Sequence, residues 1–136
     1  MYHKKCTEDE LYEKLVKAYD KVAPSAETKL YIVWILIKKG KTSEIGKYLS
    51  EAYDLETVPF EKANLAHKIG LILKGEGKYS QARKYFRNSL KLNPSNGKPH
   101  LAIALMYAES ANNCGDTNFN KRAVYWLAAN EARKAL

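Results

Sequence analysis

The stretch from Ala63 to Asn96, ANLAHKIGLILKGEGKYSQARKYFRNSLKLNPSN, decides the fold. It is 34 residues long and divides at Gly75-Glu76-Gly77 into two halves of helical length. Small and aromatic residues punctuate it at Gly70, Tyr79, Ala82, Phe86, Leu90 and Pro94. Gly70 and Ala82 suit a close crossing of two helices, where a side chain larger than a methyl would force the backbones apart. Tyr79 and Phe86 are placed to fill the wedge between that helix pair and its neighbours. Asn93-Pro94 ends the second helix, because proline cannot continue it, and sends the chain into a further element.

Outward from this unit the periodicity gives helix after helix and no convincing strand. Upstream, Thr7 with Glu10 has capping-box spacing and opens a helix through about Val22, with Leu11, Leu15, Val16 and Tyr19 at helical spacing. Pro24-Ser25 stops it, and Ser25 can cap a second helix that runs to about Lys39. Leu30 to Ile37 is β-branched and aromatic enough for a buried strand. No partner strand exists for it, so it is read as helix. Gly40 makes the next turn, and Thr42 or Ser43 begins a third helix with Ile45, Leu49 and Ala52 inside. Pro59 suits the first turn of a fourth. Downstream, helices are expected from Gly97 or Lys98 to Ser110 and from about Phe119 to the C-terminus, with a longer loop over Asn112–Asn118. Turns this short imply antiparallel neighbours.

The 34-residue period, with those residue types at those positions, resembles the tetratricopeptide repeat family. The resemblance is tight over Ala63–Asn96, although Ala66 replaces the usual Trp and Ser89 a usual Ala. It extends more loosely over about 110 residues in all. Upstream, Gly40, Tyr48 and Ala52 are roughly in place. Downstream, Ile103, Ala104 and Tyr107 fit a first helix with His100 at the Trp position. The run from Ser110 through Cys114-Gly115-Asp116 to Trp126 is similar to the terminal repeat of bacterial tetratricopeptide proteins, many exported and of undefined role. The expected architecture is all-α, a right-handed α-α superhelix of about seven helices in one domain. Its parts are a lone or capping helix at residues 7–22, a degenerate repeat at 26–54, a well-matched repeat at 60–96 and a terminal repeat at 97–136.

The resemblance implies a concave groove lined by first helices. Its exposed positions fall at Leu30, Trp34, Ile37 and Lys38, then Asn64, His67, Leu71 and Lys74, then Lys98, Leu101 and Leu105. Apolar patches among cations suit an extended or helical peptide with acidic groups. Some members hold a carboxylate with a clamp of Lys and Asn. Lys98 matches one clamp position, but Leu30, Trp34 and Lys68 occupy others that need Lys or Asn, so that function does not carry over.

Charge narrows the partner. The 136 residues hold 23 Lys/Arg and 15 Asp/Glu, a formal +8. Residues 62–98 alone hold nine of those cations against one acid, Glu76, so the excess is local. Lys68, Arg83, Lys84, Arg87 and Lys91 form a basic patch split between two helices, which is less persuasive for nucleic acid than one continuous groove. Tyr85 could stack on a base.

Nothing in the sequence looks catalytic. His3, His67 and His100 are isolated from carboxylates at metal-ligand spacing, and Gly75-Glu76-Gly77 follows no strand, so it is no phosphate loop. No cofactor or metal is expected. Cys6 and Cys114 are too few and too far apart for a zinc framework. They are two free thiols or, in an oxidising compartment, one bridge. No apolar run is longer than Leu30 to Ile37, which is too short to span a bilayer. The first residues lack the apolar stretch of a secretory signal and leave the compartment open: exported or periplasmic, as the family resemblance implies, if a leader was removed, and otherwise cytoplasmic. The sequence thus favours a non-enzymatic module that binds a peptide or protein. Binding an anionic surface or nucleic acid through residues 68–91, or self-association of a longer repeat protein, stands as the alternative.

Overall fold

The computed structural model of the chain describes residues 10–111 and 117–136, and all regular structure among them is helical. The chain divides into two compact units, residues 1–58 and 59–136. The first contains α1 (Glu10–Val22), α2 (Ala26–Lys38), a single 3₁₀ turn (Thr42–Glu44) and α3 (Ile45–Leu55). The second contains α4 (Pro59–Gly75), α5 (Tyr79–Leu92), α6 (Lys98–Ser110) and α7 (Asn118–Lys134). These are the helices and helix pairs of a tetratricopeptide-like repeat protein. Thr7 and both cysteines lie outside the described residues.

In the first unit, Leu30 to Ile37 is helical, inside α2, and Ile32, Val33, Ile35 and Leu36 are buried. Ser25 caps α2 as expected: its hydroxyl accepts from the Thr28 N–H at 3.1 Å, and the Thr28 hydroxyl accepts from the Ser25 N–H at 3.0 Å. The third helix starts later than the sequence implies. Neither Thr42 nor Ser43 caps it; the chain enters through the 3₁₀ turn, whose tighter bonds occupy the first free N–H groups, and α3 begins at Ile45. Ile45, Leu49 and Ala52 are its buried face.

Polar groups tie these three helices together. Asp20 on α1 is buried, and it accepts from the Thr28 hydroxyl at 2.6 Å and from Lys29 Nζ at 2.6 Å. Lys29 also reaches Glu51 on α3 at 2.7 Å and stands over the Tyr48 ring. One turn of helix away from Lys17, Glu13 on α1 bridges Lys17 and Lys39 at 2.7 and 2.5 Å. The opposite face of α1 stays open, with Leu11, Leu15, Tyr19 and Val22 exposed.

The second unit is joined differently. A Cβ built on Gly70 would stand 2.5 Å from the Phe86 ring, so only glycine allows α4 to approach α5 this closely. Phe86 and Ala82 are fully buried against Ala63, Ala66, Ile69 and Leu73. Ser89, at a position where alanine is usual, is buried too and spends its hydroxyl on the Ala63 carbonyl at 2.7 Å. α6 contributes Pro99, Ala102, Ile103, Ala104 and Met106, while α7 contributes only Ala128 to the buried set.

The same turn ends α2 in the first unit and α4 in the second. Gly40 and Gly77 have φ of 69° and 74°, a conformation other residues rarely adopt. After each, the next N–H reaches five residues back, Lys41 to the Leu36 carbonyl and Lys78 to the Leu73 carbonyl, both at 2.9 Å. This caps the last carbonyls of α2 and α4 in a Schellman arrangement.

Candidate partner-binding faces

Helices α4 and α6 lie side by side in the second unit, bridged by Lys74 Nζ to Glu109 at 2.8 Å. Their outward residues include Leu71, Leu101 and Leu105, which are 46, 50 and 48% exposed although each sits in an otherwise well-packed helix. Lys68 and Lys98 are also exposed, and Asn64 and His67 are half-buried on α4. An apolar strip with cations beside it is therefore present on this unit. The Lys74–Glu109 bridge means that Lys74 already has an acid partner.

His67 sits deeper than its neighbours. Its ring lies 5.5 Å from Phe86, and its Nδ1 is buried without a hydrogen-bond partner. Burial, with the nearby Lys98 charge adding to it, holds its pKa below the usual histidine value. Both effects favour the neutral imidazole. His100, the other histidine of this unit, points elsewhere: its Nδ1 meets Glu131 on α7 at 2.6 Å, and Lys134 meets the other Glu131 oxygen at 3.1 Å. Burial would raise the Glu131 pKa, but these two hydrogen bonds outweigh it and hold the carboxyl below its ordinary value. The two histidines do not share a site.

In the first unit, Trp34 is 45% exposed and Lys38 Nζ stands 4.0 Å from its ring centroid. This is close cation–π geometry. Both belong to the outer face of α2, with Ile37 at the edge of exposure.

The basic residues divide. Lys84, Arg87 and Lys91 are exposed at a spacing that puts them on one side of α5. Arg83 turns inward, its guanidinium 5.0 Å from the Tyr107 ring centroid on α6 and its Nε buried without a partner. It packs α5 on α6 instead of extending the surface row.

Two features escaped sequence reasoning. The Lys74–Glu109 and His100–Glu131 bridges join residues over thirty positions apart, which no local spacing reveals. The aromatic outer face of α7 is the second: Phe119 and Trp126 stand seven residues apart, but periodicity alone does not say which face meets α6. Among the described residues no group of three His, Cys, Asp or Glu could hold a metal ion, and no helix is long and apolar enough to cross a membrane.

No protein-family model matches the chain. Over 51 residues, 38% of the chain, it is 39% identical to the photosystem I assembly protein Ycf3 of Acaryochloris marina (strain MBIC 11017). The chain spans about 30% of that relative's length. With the helix pairs described above, this similarity supports a tetratricopeptide-like relationship and nothing finer; it does not bear on the likeness to terminal repeats.

Proposed function

We propose that the chain is a non-enzymatic interaction module that holds a peptide or protein segment on the first helices of its repeats. One observation carries this: on α4 and α6 the three leucines Leu71, Leu101 and Leu105 are about half exposed, on helices whose other faces are closely packed. Leaving that much apolar surface in water on two adjacent helices is costly at about 25 cal/mol per Å², and a partner that covers it recovers the cost. Lys68 and Lys98 beside the strip favour a segment with acidic groups. The relative is a photosystem I assembly protein, which fits a role played through protein contacts.

The test is site-specific photocrosslinking with a benzophenone residue at Leu101, compared with the same group at Lys84 on α5. Protein adducts at position 101 that vanish in a Leu71→Asp/Leu105→Asp background are the expected result. Equal adducts from both positions, or adducts that survive that background, would refute it. Because all three leucines are exposed, these changes leave the core intact.

A second reading rests on Lys84, Arg87 and Lys91, which have no acid partner among the described residues. They would serve an anionic surface or nucleic acid. Arg83 is withdrawn from this row by its packing on Tyr107, which leaves three cations on a single helix. Binding of a labelled single-stranded oligonucleotide that weakens steeply with salt would favour this reading.

A further inference from the structure

Among the described residues, the outer face of α7 is the most exposed apolar surface of the second unit. Phe119 and Trp126 are 78 and 71% exposed, and Leu127 is 51% exposed. Helix geometry puts Phe119, Trp126 and Asn130 opposite Ala128, the one residue of α7 that is buried. Together with Arg122, Ala123 and Leu127 they line a hollow of about 620 Å³. That volume is in the range of pockets that receive whole side chains.

The charges around it are of one sign. Arg122 lies in the hollow and Arg133 three turns further along the same side, and neither has an acid partner among the described residues. Glu131 is the one acid of the helix, and both its oxygens are occupied, by His100 and Lys134. The α7 of a second copy does not complement this face. Pairing α7 with α7 in parallel sets each arginine against its own copy, and the antiparallel pairing centred between them sets Arg122 against Arg133. A bilayer offers no protruding side chain to enter a hollow floored by Ala123 and Asn130.

From this geometry we infer that the outer face of α7 is a second docking surface, for an amphipathic helix whose apolar ridge is flanked by Asp or Glu. The ridge enters between Phe119 and Trp126, and the flanking carboxylates meet Arg122 and Arg133. This site is separate from the α4–α6 strip and stands or falls independently of it.

The probe is a fluorescein-labelled helical peptide of three Leu-Glu-Glu-Leu-Ala-Glu-Ala heptads, titrated against the full chain by anisotropy. A control peptide carries Lys in place of every Glu. The acidic peptide is expected to bind and the Lys peptide not. Trp126→Asp should weaken binding roughly tenfold or more, as loss of a central aromatic anchor does. Arg122→Glu should weaken it too, and both losses should persist in a Leu101→Asp background, in which the α4–α6 strip is disabled. In a Trp34→Phe background, Trp126 emission should shift to the blue on binding. Equal affinity for both peptides, no binding, or an unchanged affinity in Trp126→Asp would overturn the inference. So would Trp126-dependent binding to anionic vesicles in place of the peptide, or self-association in light scattering that Trp126→Asp abolishes.

Discussion

Two helix junctions in this molecule are built on opposite principles. The α4–α5 junction is closed by shape: Gly70 makes room for the Phe86 ring, and alanines fill the remainder. The α1–α2 junction is closed by charge, with Asp20 and Glu13 bridging to lysines and a threonine. Close packing is rigid and nearly indifferent to pH and salt, whereas bridges are adjustable but answer to both. The well-matched repeat thus owes its regularity to a junction with few alternative sequences. At the α1–α2 junction several arrangements of charge would serve.

The comparison can be broken at its strongest point by Phe86→Ala. Emptying that buried ring site should cost about 3–5 kcal/mol, read from urea denaturation, with no dependence on ionic strength. A loss that salt changes would show that charge contributes at α4–α5 as well. Asp20→Ala comes next, at about 2–3 kcal/mol, since it leaves Lys29 without one of two partners and the Thr28 hydroxyl without its acceptor. Hydrogen exchange should place that loss in α1 and α2. Gly70→Ala should cost about 1–3 kcal/mol from overpacking, partly offset by alanine's better helix propensity. A stabilised Gly70→Ala protein would mean the Phe86 ring moves aside freely.

A pH titration sharpens the contrast. The hydrogen bonds from Lys17 and Lys39 hold the Glu13 pKa down to about 2, and the bonds from Lys29 and Thr28 keep Asp20 below its ordinary value against the opposing effect of burial. Both carboxyls are easier to ionise in the folded chain. Their stabilisation is complete above the ordinary carboxylate range and is lost as pH falls from there toward about 2. Amide protection in α1 should decline through that window while protection in α5 holds. The smallest effect belongs to Ser89→Ala, at about 1 kcal/mol. The Ala63 carbonyl loses one bond, but alanine fits the same buried space.

How much of this was legible in the sequence follows the same divide. Gly70, Ala82, Phe86, Gly40, Ser25, Ile45, Leu49 and Ala52 could each be assigned a place, because local spacing and turn chemistry set their roles. Asp20, Lys29 and Glu51 read as ordinary charges of solvated helices; their meeting depends on the rotation and register of three helices, which no window of the chain encodes. The same holds for Lys74, which reads as a free groove cation and is bridged to Glu109, and for Arg83, which reads as a surface cation and packs on Tyr107. The exposure of Leu71, Leu101 and Leu105 is what the repeat resemblance implies for those positions.

Lys29 touches α1 through Asp20 and α3 through Glu51 while belonging to α2. One ammonium group is therefore shared by two acids, and neither bond has an energy of its own. Removing Asp20 leaves Lys29 free to settle on Glu51, and removing Glu51 leaves it to Asp20. The two single losses will not sum to the double loss in a mutant cycle. For substitutions along α1 and α3, the effect at one helix will depend on the residue present at the other.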